Sequence, residues 1–168
     1  MRYNKIRKMD ISNGPGVRVS IFMQGCSFNC KNCFNKETHD FNGGKDFNDE
    51  TVERVLELCD NDKIEGLSIL GGEPLDNLDV VNLLIDEFKK NFKDKNIWLW
   101  SGYTYEEILT DKNKLNIISK CDILVDGKFI NKLKNNSLKF RGSTNQRIIN
   151  VQESLKQNKV IEYDVVGI

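Results

Sequence analysis

Along residues 17–23, Val17, Val19, Ile21 and Met23 alternate with Arg18, Ser20 and Phe22, and this period of two predicts a largely buried strand ending at Gln24-Gly25. Residues 41–48 carry Gly43-Gly44 among polar groups and read as a loop leading to a helix capped by Asn48 or Asp49. Val52, Val55, Leu56 and Cys59 then follow helical spacing. The apolar run 67–70 predicts a second strand, closed by Gly71-Gly72-Glu73-Pro74, and Val81, Leu84, Ile85, Phe88 and Phe92 share one face of a second helix. Residues 97–100 predict a third strand. Thr104 and Glu107 form a capping-box pair that opens a third helix. Residues 123–125 predict a fourth strand ending at Asp126-Gly127-Lys128, and further strands are expected at 148–151 and 160–166.

Strands alternating with helices imply an α/β fold built on a parallel sheet with right-handed crossovers. The glycine-bearing and polar clusters fall repeatedly at the C-terminal ends of strands, where such sheets bind ligands. There is no internal repeat and no low-complexity stretch, and the only prolines are Pro15 and Pro74, so residues 1–168 read as a single domain.

Composition narrows the function classes. Lys+Arg and Asp+Glu both number 25, a formal net charge of +0, which leaves no overall footprint for nucleic acid or an anionic membrane. No apolar run approaches the roughly 18 residues of a membrane span, and Met1-Arg2-Tyr3-Asn4-Lys5 leads into no apolar core of a secretory signal. The expected compartment is the cytoplasm, where five cysteines stay reduced and an odd number argues against a disulfide framework.

Three of those cysteines, Cys26, Cys30 and Cys33, are spaced C-x3-C-x2-C, close enough for one loop to bring three thiolates around one soft metal centre. A cubane iron–sulfur cluster held by three cysteines keeps one iron free for a substrate or cofactor, whereas an electron-transfer cluster normally takes a fourth. Cys59, on the apolar face of a predicted helix, and Cys121, just before a predicted strand, read as core thiols. Two rivals stand beside the open iron–sulfur site: a Cys3His zinc site completed by His39, the only histidine, and a set of redox thiols.

The cysteine spacing after a first strand, together with Gly71-Gly72-Glu73-Pro74 after the second, resembles the radical S-adenosylmethionine superfamily. Further stretches, from Asn13-Gly14-Pro15-Gly16-Val17-Arg18 through Trp98-Leu99-Trp100-Ser101-Gly102-Tyr103-Thr104 and Asp126-Gly127-Lys128-Phe129 to Arg141-Gly142-Ser143-Thr144-Asn145-Gln146-Arg147, are similar to the activating proteins of anaerobic ribonucleoside-triphosphate reductase within it. The similarity covers about residues 3–151. One position departs from the wider superfamily: Asn32 stands before the third cysteine, where many members carry an aromatic residue, and Phe34 follows instead.

The resemblance implies an incomplete TIM-like barrel of five or six βα units, open on one side. It implies one [4Fe-4S] cluster on Cys26, Cys30 and Cys33 and S-adenosylmethionine on its open iron. Gly71, Gly72 and Glu73 would receive the methionine end of that cofactor, and Asn32, Cys33 and Phe34 its remaining contacts. Reductive cleavage would give a 5′-deoxyadenosyl radical that abstracts hydrogen from a glycine of the reductase large subunit, in a complex with two copies of each chain, and a flavodoxin-like protein would donate the electron. No acid or base from this chain enters that step, because the cofactor carries the hard chemistry. Activation of another glycyl radical enzyme of the pyruvate formate-lyase type, a radical reaction on a small molecule and a non-catalytic zinc module are the alternatives.

Overall fold

The computed structural model describes residues 1–165. Its centre is a parallel four-strand unit: β2 (Arg18–Gln24), β4 (Gly66–Gly71), β5 (Asn96–Ser101) and β6 (Ile123–Asp126) lie side by side. Antiparallel strands flank it: β1 (Arg2–Asp10) pairs with β2, the two-residue β3 (Lys45–Asp46) with β1, and β7 (Arg147–Asn150) with β6. The order is β3-β1-β2-β4-β5-β6-β7, so the sheet is mixed and its two edges do not meet. The expectation of five or six parallel βα units is corrected to four parallel strands among the described residues.

Among the described residues five α-helices connect or follow the strands: α1 (Asp49–Cys59), α2 (Leu78–Asn91), α3 (Tyr105–Leu109), α4 (Lys112–Ile118) and α5 (Val151–Gln157). Their buried residues, such as Val55, Leu84, Phe88, Ile108 and Ile118, join one core with Val19, Ile21, Leu67, Ile69, Leu99 and Leu124 of the strands. Each such side chain contributes about 1.5–3 kcal/mol on burial. All the helices pack on this one face. The alternate strand residues point the other way, where Trp98, Ile123, Val125 and Ile148 form a smaller cluster. β2 is buried along its whole length because both of its faces are covered.

Caps set the helix starts. The Asn48 side chain accepts from the Thr51 amide at 3.0 Å, which places the start of α1 at Asp49. The Thr104–Glu107 capping box forms as the sequence suggests, with the Glu107 amide donating to Thr104 Oγ1 at 3.2 Å and the Thr104 amide to Glu107 Oε2 at 3.0 Å.

Other local expectations are corrected. The loop predicted at 41–48 contains β3, tied to β1 by an ion pair between Arg2 and Asp46. Val151 opens α5 rather than ending a strand, because the Asn150 side chain caps that helix through the Glu153 amide. The strand expected at 160–166 reduces to one bridge between Ile149 and Glu162, and Val166 lies outside the described residues. β1 escapes the sequence reading because Arg2, Lys5, Arg7 and Lys8 dominate it and two register shifts break its alternation. No helix among the described residues is long and apolar enough to cross a membrane.

Candidate metal centre

The cysteine loop leaves the C-terminal end of β2 and returns beside it. The Gly25 amide donates to Thr38 O at 2.7 Å and the Cys26 amide to His39 O at 3.2 Å, which closes the base of the loop. Gln24, at the end of β2, clamps the returning chain from below: its Nε2 donates to Glu37 O at 3.0 Å and Asp40 O at 2.7 Å. Within the loop the Cys33 amide donates to Cys30 O at 3.2 Å, a tight turn with Asn32 at φ 56°. Asparagine tolerates this left-handed conformation better than a bulky ring does, a physical reason for its place before the third cysteine.

Cys26, Cys30 and Cys33 line one cavity of about 530 Å³ together with Phe34, Gly71, Gly72 and Glu73. That volume lies within the roughly 300–1,000 Å³ of small-molecule sites. Seven of the eight residues singled out from the sequence therefore meet at one place; Asn32 is exposed and lies outside the lining. His39 lines the cavity as well. Cys59 and Cys121 are fully buried in the main core, as expected of structural thiols.

Burial pushes the Cys26 thiol up to about 12, and burial followed by the neighbouring Cys33 raises Cys30. Metal binding must displace these protons. The Asn35 amide donates to Cys33 Sγ at 3.5 Å. No three Cys, His, Asp or Glu side chains among the described residues converge tightly enough for a single metal ion. Three thiols around one cavity can each supply a ligand to a separate iron of a cluster.

The glycine pair is packed rather than free. Gly71 has φ 112°, and a Cβ there would come within 2.5 Å of Met23 N, while one on Gly72 would strike Gly25 O. The Gly72 amide donates to Met23 O at 3.0 Å and the Glu73 amide to Gly25 O at 2.8 Å, so the turn after β4 is seated on the base of the cysteine loop. Only glycine permits so close an approach of two backbones.

Glu73 is 1% exposed, and its carboxylate is already engaged. Oε1 accepts from the Leu75 amide at 2.9 Å and Ser101 Oγ at 2.8 Å, and Oε2 accepts from the Gly102 amide at 2.7 Å. It ties the end of β4 to the end of β5. Burial pushes it up to about 7, against these three hydrogen bonds, which favour the anion. Its ordinary value is 4.5, so the neutral form is favoured by folding. The stability this contributes is whole below about 4.5 and is lost as the pH rises through 7, roughly 3 kcal/mol at 1.36 kcal/mol per unit. We expect Glu73→Gln in metal-free protein to flatten the stability profile between pH 5 and 7. Denaturant midpoints measured across that range check it, and equal slopes in both proteins would refute the assignment.

Asp76 is a site residue with no signal in the sequence. Its Oδ2 accepts from the Ser27 amide at 2.8 Å, next to Cys26, and its Oδ1 accepts from Tyr103 Oη at 2.9 Å. The Phe28 ring packs on Tyr103 with centroids 4.8 Å apart. One carboxylate thus joins the cysteine loop, the turn after β4 and the turn after β5.

A sheet with one cavity at the C-terminal ends of its parallel strands, walled by three thiols, agrees with the families that this chain matches. Residues 12–149 match the 4Fe-4S single cluster domain, and the chain belongs to that class of iron–sulfur proteins. Within the class it belongs to the family of anaerobic ribonucleoside-triphosphate reductase-activating proteins. The protein of that name from Vibrio cholerae is 37% identical over 152 residues, covering 88% of this chain and 97% of the relative. That of Enterobacteria phage T4 is 36% identical, covering 88% and 93%, and that of Escherichia coli K12 is 34% identical, covering 87% and 96%. The match to a four-iron family favours iron and sulfide over the Cys3His zinc alternative.

Proposed function

We propose that this protein binds one [4Fe-4S] cluster through Cys26, Cys30 and Cys33, holds S-adenosylmethionine beside it, and installs a glycyl radical on anaerobic ribonucleoside-triphosphate reductase. The observation that supports this reading most is that the three thiols and the turn Gly71-Gly72-Glu73 share the walls of one cavity large enough for a small molecule. Family membership supports the reductase as partner. When bound, the cluster and S-adenosylmethionine supply a 5′-deoxyadenosyl radical that takes a hydrogen atom from a glycine Cα. The work of the chain is placement. Asp76 holds the cysteine loop against the turn after β4, Glu73 locks that turn to β5, and the rings of Phe28, Phe34, Phe129 and Phe140 add apolar surface to the cavity wall.

We place the cofactor's methionine end at Gly71 and Gly72 and its other contacts at Cys33, Phe34 and the backbone of Asn32, with Glu73 ordering the turn rather than ligating. In this reading a single domain forms a partial barrel whose open side admits the partner, the complex holds two copies of each chain, a flavodoxin-like protein in the cytoplasm supplies the electron, and neither nucleic acid nor membrane takes part. The test is anaerobic: the chain is loaded with iron and sulfide, reduced with dithionite and given S-adenosylmethionine, first alone and then with the reductase. The expected results are 5′-deoxyadenosine by chromatography and a glycyl radical signal by electron paramagnetic resonance once the reductase is added. A full four-iron cluster that yields neither product with the reductase present would overturn the reading.

A further inference from the structure

We propose that the rim of the cavity is a docking surface for an acidic face of the reductase that flanks its hydrogen-donating glycine, an inference that rests on the function proposed above. The overall charge balance hides a segregation. Residues 26–36 carry Lys31 and Lys36 and no Asp or Glu, and residues 127–146 carry five Lys or Arg and no Asp or Glu, in a chain whose 25 cations and 25 anions cancel. These two segments adjoin. The Phe34 and Phe129 rings lie 4.9 Å apart, Lys134 Nζ sits 5.1 Å from the Phe34 ring, and Lys128 Nζ sits 4.6 Å from the Phe28 ring. Both segments contribute to the lining of the cavity and meet along one side of it.

Acids beside that rim are already engaged: Asp76 accepts from the Ser27 amide and from Tyr103 Oη. Glu37 pairs with Lys5 at 3.8 Å, and Asp126 is buried on Arg147 at 2.6 Å. Lys31, Lys36, Lys128, Lys132 and Lys134 are all exposed. Among them stand three exposed apolar side chains, Phe34 at 57%, Ile130 at 42% and Leu133 at 41%, with Ile130 and Leu133 joined through one turn closed at 2.9 Å. Apolar anchors inside a charged border are the anatomy of a protein interface. Cations concentrated on one face steer an acidic partner to it in a salt-dependent way.

The observations favour the reductase over an acidic electron donor. Electron-transfer encounters are small and transient and need no apolar anchors. A segment that must enter the cavity and stay through a reaction does need them. Lys132 and Leu133 lie outside the cavity lining, so they can be changed without touching the site.

The test uses cluster-loaded protein carrying Lys132→Glu with Leu133→Asp, and the milder Lys132→Gln alone. For the double variant we expect at least a tenfold weaker affinity for the reductase and a shallower dependence of that affinity on salt. Lys132→Gln should flatten the salt dependence in part. The cluster absorption and the 5′-deoxyadenosine formed without reductase should match the unaltered protein in both. Unchanged affinity and salt dependence in the double variant would overturn the proposal. So would a defect that appears only with a protein reductant and vanishes with dithionite, which would assign the rim to the electron donor. If the unaltered protein cleaves S-adenosylmethionine yet leaves no radical on the reductase, it is the function proposed above that fails.

Discussion

Alanine at Cys26, Cys30 or Cys33 is expected to yield a folded chain that retains no stable four-iron cluster, with iron content falling from about four per chain towards zero. In the proposed centre each thiol would hold a different iron, so two remaining ligands would not retain the cubane against exchange with solvent thiols. Folding should survive, because none of the three is part of the apolar core; all are half-buried residues of a loop. The contrast is Cys59. It is buried in the main core with its thiol pushed up to about 12 by burial, and Cys59→Ala should cost stability while leaving the iron content intact. Iron and sulfide analysis with the visible absorption spectrum distinguishes the two classes. Full iron retention by Cys30→Ala, for example, would remove that residue from the ligand set.

The largest loss of stability is expected at Trp98. It is 2% exposed on the face of the sheet opposite the helices, with Trp100 at 5.8 Å, Phe140 at 5.5 Å and Tyr163 at 5.5 Å between ring centroids. The Arg18 guanidinium lies 5.7 Å from its ring. Arg18 is itself fully buried, donating to Ser68 Oγ at 2.7 Å and Leu67 O at 3.1 Å, and burial lowers it to about 10. Trp98→Ala should cost about 3–5 kcal/mol, the usual range for a buried aromatic, out of a total of about 5–15 kcal/mol. Trp98→Phe should cost markedly less, since the stacked face over Arg18 persists. Denaturant unfolding measures both, and a loss below about 1 kcal/mol for alanine would show that this face contributes little. The effect should reach the cavity, because Trp100 and Phe140 both line it and Trp100 Nε1 donates to Phe140 O at 2.7 Å.

Much of the centre was readable in the chain because its signals are local. The spacing of Cys26, Cys30 and Cys33 confines them to one loop whatever the rest of the fold does, and the loop lies where a strand ends. Glycines at 71 and 72 announce a turn too tight for any Cβ, though their reason, the backbone of Met23 and Gly25 against them, lies nearly fifty residues away. Glu73 illustrates the limit. Its position beside the glycines suggested a ligand, while its carboxylate is occupied by Leu75, Ser101 and Gly102. Asp76 shows the converse, a side chain unremarkable in the sequence that reaches Ser27 across 49 positions.

By itself the sequence determined the alternation of strands and helices, the helix cap at Thr104 and a cap at either Asn48 or Asp49, the burial of Cys59 and Cys121, and the three-thiol loop, since each depends on periodicity or on neighbours within a few residues. Only the tertiary structure decided that β1 and β7 run antiparallel to the central strands and that β3 pairs antiparallel with β1. It alone also decided that every helix packs on one face, and that the segment 127–146 borders the cysteine loop to complete the cavity and its basic rim. These features arise from strand order and from pairings between distant segments, which leave no periodic trace in either partner; the basic, weakly patterned β1 pairs with β2 and packs only Tyr3 and Ile6 against the main core.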